Sequence, residues 1–522
     1  MPTDRVSGVL AHPTSLPGPH GIGDLGPAAF RFVDWLSRGS QRRWQVMPLG
    51  PTGFGDSPYA SPSAFAGNPL LISLGWLAGD GLLDESDLRE APEFPEYEVE
   101  FERVQRYKYP LLRRAFDRFR SGAAADQRPA FDAFRQAESA WLDDYALFVA
   151  VKQAHGGVAW TDWEEPIRRR DPKALAEWRE RLADEVRYQQ FEQFQFRRQW
   201  TELKRYANEH DVRIIGDIPI FAAHDSADVW ANRDIFQLEE SGIPTVVAGV
   251  PPDPFSATGQ LWGNPVYDWA ANETTGYAWW VARVRAMLET VDIIRIDHFR
   301  AFAAAWVVPN GQETAEGGQW EAGPGVEIFR TIAREVGATP FVIEDLGVIT
   351  PDVIALRDEL GFPGMKVLQF AFEDDPANPY LPHNYGASDV VYTGTHDNQT
   401  TVGWFATRSE SERNAVTRYL GRDGQDIAWD LIRLALGSVA ETAIVALQDV
   451  MRLGDEARMN VPGRPTGNWG WRFQSHQLHD GLADGLAEMV WTYGRAKPPG
   501  EPRGHNPYDY TVSGTAHPLH PR

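Results

Sequence analysis

Eight short apolar runs, each followed by turn residues and then by a helical stretch or a long loop, divide this 522-residue chain. They are Gly8-Val9-Leu10, Trp44-Gln45-Val46, Val212 to Gly216, Asp292 to Ile296, Phe341-Val342-Ile343, Lys366-Val367-Leu368, Val390-Val391-Tyr392 and Ile444-Val445-Ala446. Strand-like segments that alternate with helices predict a parallel sheet, and eight of them predict an α/β chain folded as a (β/α)8 TIM barrel.

The spacing between the runs is uneven. More than 150 residues separate the second from the third, too many for one loop. Tyr188, Phe191 and Phe194 recur at helical spacing there, and Phe196, Trp200 and Leu203 continue the seam. A mostly helical insertion is therefore expected over about 75–205. The Arg168-Arg169-Arg170 cluster within it reads as a solvated face, with an anion site as the alternative. A second insertion is expected near 218–275; its Pro, Gly and Trp content predicts a lid of loop rather than helix. Residues 1–495 then form one catalytic domain. The segment 497–522, rich in Pro, Gly and His, is expected to be a loosely held tail.

Composition narrows the chemistry. The chain has no cysteine, which removes disulfides, zinc–thiolate sites, iron–sulfur clusters and cysteine nucleophiles, and fits a reducing cytoplasm. A net charge of −23 disfavours nucleic acid and anionic membranes, but not a neutral sugar. Met1-Pro2-Thr3-Asp4-Arg5-Val6 has no signal-peptide pattern, and no run of apolar residues is long enough to span a bilayer. A soluble cytoplasmic protein is expected. Most of the 20 tryptophans are read as packing; the indole face also suits a pyranose ring.

Three carboxylates follow predicted strands: Asp297, Glu344 and Asp397. In a parallel barrel all strand C-termini open on one face, so these acids can converge there. Glycoside chemistry needs one carboxylate that attacks the anomeric carbon and a second that protonates the leaving oxygen. A third acid beside the pair raises the pKa of the proton donor. Each acid taken singly is also read as a helix N-cap or a salt-bridge partner.

The neighbouring residues narrow that choice. Arg295-Ile296-Asp297-His298-Phe299-Arg300, Ile343-Glu344-Asp345-Leu346-Gly347 and Gly394-Thr395-His396-Asp397-Asn398 resemble the three acid-bearing strands of the amylomaltases. These are the 4-α-glucanotransferases of glycoside hydrolase family 77, in the α-amylase clan. The acids lie 47 and then 53 residues apart, in the order that family uses. His12-Pro13-Thr14-Ser15-Leu16-Pro17, Gly53 to Tyr59, Gly216-Asp217-Ile218-Pro219, Gly249 to Asp253, Gly259 to Pro265, Arg458-Met459-Asn460 and Asn468 to Arg472 extend the resemblance over about 5–495.

The resemblance implies Asp297 as nucleophile, Glu344 as general acid and base, and Asp397 as the acid that holds and distorts the sugar, beside His396. Arg295 would sit under Asp297 and keep it ionised. Tyr59 would stack on the same sugar, and Asp217 and His298 would bond its hydroxyls. Asp253, Phe255, Gln260 and Trp262 would belong to the lid, with Phe255 and Trp262 on the acceptor side; Asn460 would lie near the donor sugar. From the residues alone, Asp217 is also a turn cap, His298 a core histidine and Tyr59 a packing residue of the rim. Two departures stand out. Phe54 replaces a tyrosine that can serve a secondary glucan surface, and Pro254 replaces an aromatic after Asp253.

The expected reaction is transfer of α-1,4-glucan segments between maltodextrins through a covalent glucosyl-enzyme, with cyclic glucans as possible products. The alternatives are an α-amylase-like hydrolase and a non-catalytic glucan-binding protein. No dinucleotide, P-loop, zinc-helix or EF-hand motif is present, so no cofactor and no metal are expected. Clustered carboxylates could also bind calcium or magnesium.

Overall fold

The structure is a computed structural model that describes residues 5–252, 256–337, 339–372 and 375–496. The expected tail, 497–522, lies outside the described residues. In chain order the strands are β1 (Val6–Leu10), β2 (Arg43–Gln45), β3 (Arg213–Ile218), β4 (Val246–Val250), β5 (Gln260–Pro265) and β6 (Ile293–Ile296). They continue with β7 (Ala304–Pro309), β8 (Gln319–Ala322), β9 (Phe341–Ile343), β10 (Met365–Val367), β11 (Val390–Tyr392) and β12 (Thr442–Ala446).

Eight of these pair in parallel in the order β10-β11-β12-β1-β2-β3-β6-β9, and they are the eight runs read from the sequence. The two ends meet through the parallel bridge Ile343–Gly364, which completes a (β/α)8 barrel. Asp345 reinforces this short seam: its Oδ1 accepts the Met365 N–H at 2.7 Å and its Oδ2 an Arg357 N–H at 3.0 Å. A Cβ on Gly364 would collide with the Asp345 carboxylate, so the approach needs glycine. The link from β10 to β11 carries only the 3-10 turns Leu368–Phe370 and Pro382–Asn384 among the described residues.

Strand side chains alternate between the barrel interior and the surrounding helices. Leu10, Ile215, Val342, Met365, Val367, Val390, Tyr392 and Ile444 form one buried cluster, while Val9, Trp44, Ile214, Ile294, Ile343 and Val391 join the larger cluster shared with the helices. The inward parity, followed two residues at a time, runs from Ile215 to Asp217, from Ile293 through Arg295 to Asp297, and from Val342 to Glu344. Alternation alone therefore aims these charged groups at the C-terminal mouth.

Between β2 and β3 the chain forms a series of helices, from Leu74–Gly79 to the 27-residue Ala183–Glu209. Tyr188, Phe191, Phe194, Phe196, Trp200 and Leu203 are all buried along the last of these. The arginine cluster is ion-paired: Arg169 meets Glu165 and Glu240, and Arg170 meets Asp144 and lies over the Trp230 ring. Arg168 donates to the Thr161 carbonyl.

The 218–275 stretch differs from the expected loop. It contributes β4 and β5 to an antiparallel sheet of order β5-β4-β7-β8, together with the short helices Ala227–Ala231 and Trp269–Thr274. β4 pairs with β7, whose residues come more than 50 positions later, and the interior Gly249 and Gly263 with the terminal Pro265 mask the strand pattern. No helix among the described residues is long and apolar enough to cross a membrane.

Glu192 is buried in the helical insertion and accepts a hydrogen bond from Tyr188 Oη at 2.6 Å. Burial pushes its pKa up to about 8. The folded state therefore holds this proton at pH values where the unfolded chain releases it, and the stability this confers is lost as pH rises from about 4.5 to about 8. Glu192→Gln keeps the acceptor for Tyr188 and cannot titrate. Unfolding midpoints measured from pH 5 to 9 should show wild type losing ground to the variant up to about pH 8 and running parallel above it. Parallel curves throughout would mean that Glu192 ionises freely in the fold.

Candidate active site

Arg295, Asp217 and Asp297 occupy inward positions of adjacent strand ends, β3 and β6. Arg295 Nη1 lies 2.6 Å from Asp217 Oδ2 and 2.8 Å from Asp297 Oδ1. Burial opposes the charge on Arg295, but Asp217 and Asp297 outweigh it and push its pKa further up. Burial pushes the Asp217 carboxyl up, against the pull of Arg295. Tyr59 Oη donates to the same Asp217 Oδ2 at 2.7 Å. Among the described residues, none donates a hydrogen bond to the buried Asp217 Oδ1, which leaves an acceptor at the mouth.

Glu344 follows β9. Its Oε2 accepts the His298 N–H at 2.8 Å and its Oε1 the Leu346 N–H at 2.9 Å. His298 has φ of +49°, a left-handed conformation rare outside glycine, and such a residue costs about 1–3 kcal/mol. The His298 N–H that Glu344 accepts comes from this turn. Burial, then the neighbouring Asp297, raises the Glu344 pKa to about 8, with Arg295 and the two N–H groups opposing. Burial also lowers the His298 imidazole to about 4, so it stays neutral at pH 7.

Asp397 stands in the loop after β11. Asn398 Oδ1 accepts from Thr395 N–H at 2.8 Å and from Thr395 Oγ1 at 2.9 Å, shaping the turn that presents it. Asn460 Nδ2 donates to Asp397 Oδ1 at 2.6 Å, and His396 Nε2 lies 3.4 Å from Oδ2. Tyr59 stacks on His396 with ring centroids 5.0 Å apart. Trp262, on β5, meets the His298 ring edge-on at 4.7 Å, and its indole N–H donates to Gln260 Oε1 at 3.2 Å. Asp253 and Phe255 lie outside the described residues.

The structure thus brings Tyr59, Asp217, Arg295, Asp297, His298, Glu344, His396, Asp397 and Asn460 into one connected set, with Trp262 and Gln260 at its edge. Phe54 stands apart, 78% exposed. Three neighbours were missing from the candidate residues. Trp469, at φ +67°, lies 5.6 Å from the Tyr59 ring and 5.8 Å from His396. Arg458 Nη2 donates to the Asp397 carbonyl at 2.6 Å and its Nε to that of Asn460 at 2.7 Å. His12 is buried near His396, and burial first, then His396, lowers its pKa to about 3. Each sits in a motif noted in the sequence, but nothing in those motifs tells a packing residue from a contact.

Fold and geometry together define a (β/α)8 barrel with a cluster of carboxylates at its C-terminal face. The model of family Glyco_hydro_77, 4-alpha-glucanotransferase, matches residues 11–478. The 4-alpha-glucanotransferase of Synechocystis sp. is 54% identical over 495 residues, covering 94% of this chain and 98% of that one. The one from Thermus thermophilus is 51% identical over 486 residues, covering 92% and 96%. The structure of amylomaltase from Streptococcus agalactiae in complex with acarbose superposes with a TM-score of 0.91 at 37% identity, covering 94% of this chain and all of that one. The chain belongs to the 4-α-glucanotransferase family of glycosyl-transferring enzymes.

Arg295→Leu keeps the bulk and removes the cation between two carboxylates. Breaking a buried pair in this way should destabilise the protein by about 3–5 kcal/mol, read by denaturant unfolding. A loss below about 1 kcal/mol, the scale of an exposed pair, would mean that water reaches these carboxylates freely.

Proposed function

We propose that this enzyme moves α-1,4-glucan segments from one maltodextrin to the 4-hydroxyl of another glucan or of glucose, with retention at the anomeric carbon. The observation that carries the reading is the pairing of Glu344, which holds its proton at neutral pH, with Asp297 on the Arg295 guanidinium. In the first half-reaction an Asp297 oxygen bonds to the anomeric carbon, the glycosidic C–O bond breaks, and the Glu344 proton passes to the leaving oxygen. In the second, Glu344 takes the proton of the acceptor hydroxyl, whose oxygen bonds to the anomeric carbon as the ester bond to Asp297 breaks. Both residues return to their starting states.

Asp217 Oδ1 and Asp397 would accept hydrogen bonds from donor-sugar hydroxyls, with Tyr59 and His396 beneath the ring and Asn460 orienting Asp397. Trp262 would seat the acceptor and keep water from the ester. An acceptor hydroxyl from the same chain would give a cyclic glucan. The Streptococcus agalactiae relative holds acarbose, and a ligand of that kind suits the same cleft here. We place residues up to about 495 in one catalytic domain and the activity in the cytoplasm, where a chain without cysteine is at home.

Incubation with maltotriose should yield glucose with a ladder of longer maltodextrins, and Asp297→Asn should abolish both. Glucose and maltose alone would identify a hydrolase; no turnover by wild type would favour a binding protein. The kcat/KM profile for maltotriose should fall at alkaline pH with a midpoint near 8, because Glu344 must enter the first step protonated. An unchanged rate at pH 9.5 would exclude Glu344 as the acid, since roughly one and a half units above that midpoint only a few per cent stays protonated.

A further inference from the structure

The loop from Ser57 to Ser73 leaves β2 and carries Tyr59. Its far end is packed, with Leu70, Leu71 and Ile72 buried in the core, whereas Tyr59, Ser61, Gly67, Gln193, Phe196 and Asp217 line one cavity. Around that cavity, hydrogen bonds add to the fixing of the loop. Near Tyr59, the Ala64 N–H donates to Asp228 Oδ2 at 2.7 Å and the Ala227 N–H to the Pro62 carbonyl at 2.9 Å.

From the opposite side comes Gln193, buried on the helix Ala183–Glu209. Its Oε1 accepts the Gly67 N–H at 2.7 Å while its Nε2 donates to the Gly67 carbonyl at 2.9 Å. One side-chain amide thus satisfies both backbone groups of one loop residue, as a neighbouring strand would. Gly67 is confined there, because a Cβ would collide with the Phe196 ring. Gln199, almost two turns further along the helix, pairs with Ser73 in the same way, at 2.7 and 3.3 Å, at the far end of the loop.

We propose that Gln193 is a positioning residue for the transfer reaction, fixing through Gly67 the loop that holds Tyr59 against Asp217. By this route the helical insertion acts on the donor-sugar site without touching substrate. The inference rests on the reading of Tyr59 as a donor-sugar contact. A displaced Tyr59 would mis-seat the sugar at the point of bond breaking, so the effect belongs in kcat.

The test is a double-mutant cycle on the full chain with maltotriose. It compares Gln193→Leu, Tyr59→Ala and their combination, with Gln199→Leu as a control that loses the same two hydrogen bonds further from Tyr59. Gln193→Leu should lower kcat roughly tenfold or more with a smaller change in KM. Gln199→Leu should lower the unfolding midpoint similarly and leave kcat within about twofold, and the Gln193→Leu effect should largely vanish in the Tyr59→Ala background. Equal kcat for the two glutamine variants, or an undiminished Gln193→Leu effect without Tyr59, overturns the inference and leaves the reading of Tyr59 intact. Wild-type kcat in Tyr59→Ala overturns both. If Gln193→Leu does not fold, Gln193→Asn, which keeps the amide but withdraws it by one methylene, enters the same cycle with the same expectations in direction.

Discussion

One guanidinium nitrogen of Arg295 lies within hydrogen-bonding distance of carboxylates on two strand ends, Asp217 and Asp297. The rest of the mouth is arranged around it. An unpaired cation inside a barrel is unaffordable in free energy, and so are two facing carboxylates; together they persist because each offsets the other. Asp217, once held, orients the Tyr59 hydroxyl, and the Tyr59 ring lies against His396 and Trp469. Elsewhere the interior is apolar, apart from pairs such as Tyr392 Oη donating to Gln45 Oε1 at 2.8 Å.

The acids of the mouth have different surroundings. Asp217 is 1% exposed at its side chain, Asp297 27% and Asp397 44%. Glu344 is enclosed near a like charge, and its proton is retained to about pH 8. Asp297 keeps the cation. A buried carboxyl that keeps its proton near neutral pH is the kind of group general-acid work requires. Two left-handed residues stand here, His298 within the set and Trp469 beside it, where backbone strain tends to be stored.

Elements outside the barrel matter for how they are tied to it. The antiparallel sheet carries Trp262 on its edge strand to the His298 ring. The helical insertion reaches the Ser57–Ser73 loop through side chains that mimic backbone: Gln193, Gln199 and Lys108, whose buried Nζ donates to the carbonyls of Leu70 and Ile72 at 2.6 and 2.7 Å. Buried polar side chains on a helix would be a liability if unpaired; here they hold loop carbonyls and N–H groups.

The eight barrel strands were legible because each is apolar, short and followed by a helix or long loop, and local pattern is all that such a strand needs. The placement of Asp297 and Glu344 at the mouth was also legible, since strand direction and side-chain alternation decide it. β4 and β5 were not, because the partner β7 that carries β4 is distant in sequence and Gly249, Gly263 and Pro265 resemble loop. Trp469, Arg458, His12 and Gln193 could not be singled out either: a tryptophan beside a glycine, or a glutamine on a helix, has the same sequence signature whether it packs, faces solvent or holds a loop. The sequence by itself determined the barrel and the end of it at which the carboxylates stand, through periodicities of two residues and of one helical turn. How deeply each carboxylate is buried, and which distant side chains hold the site, the tertiary structure alone decided, because burial and charge proximity depend on residues brought together from across the chain.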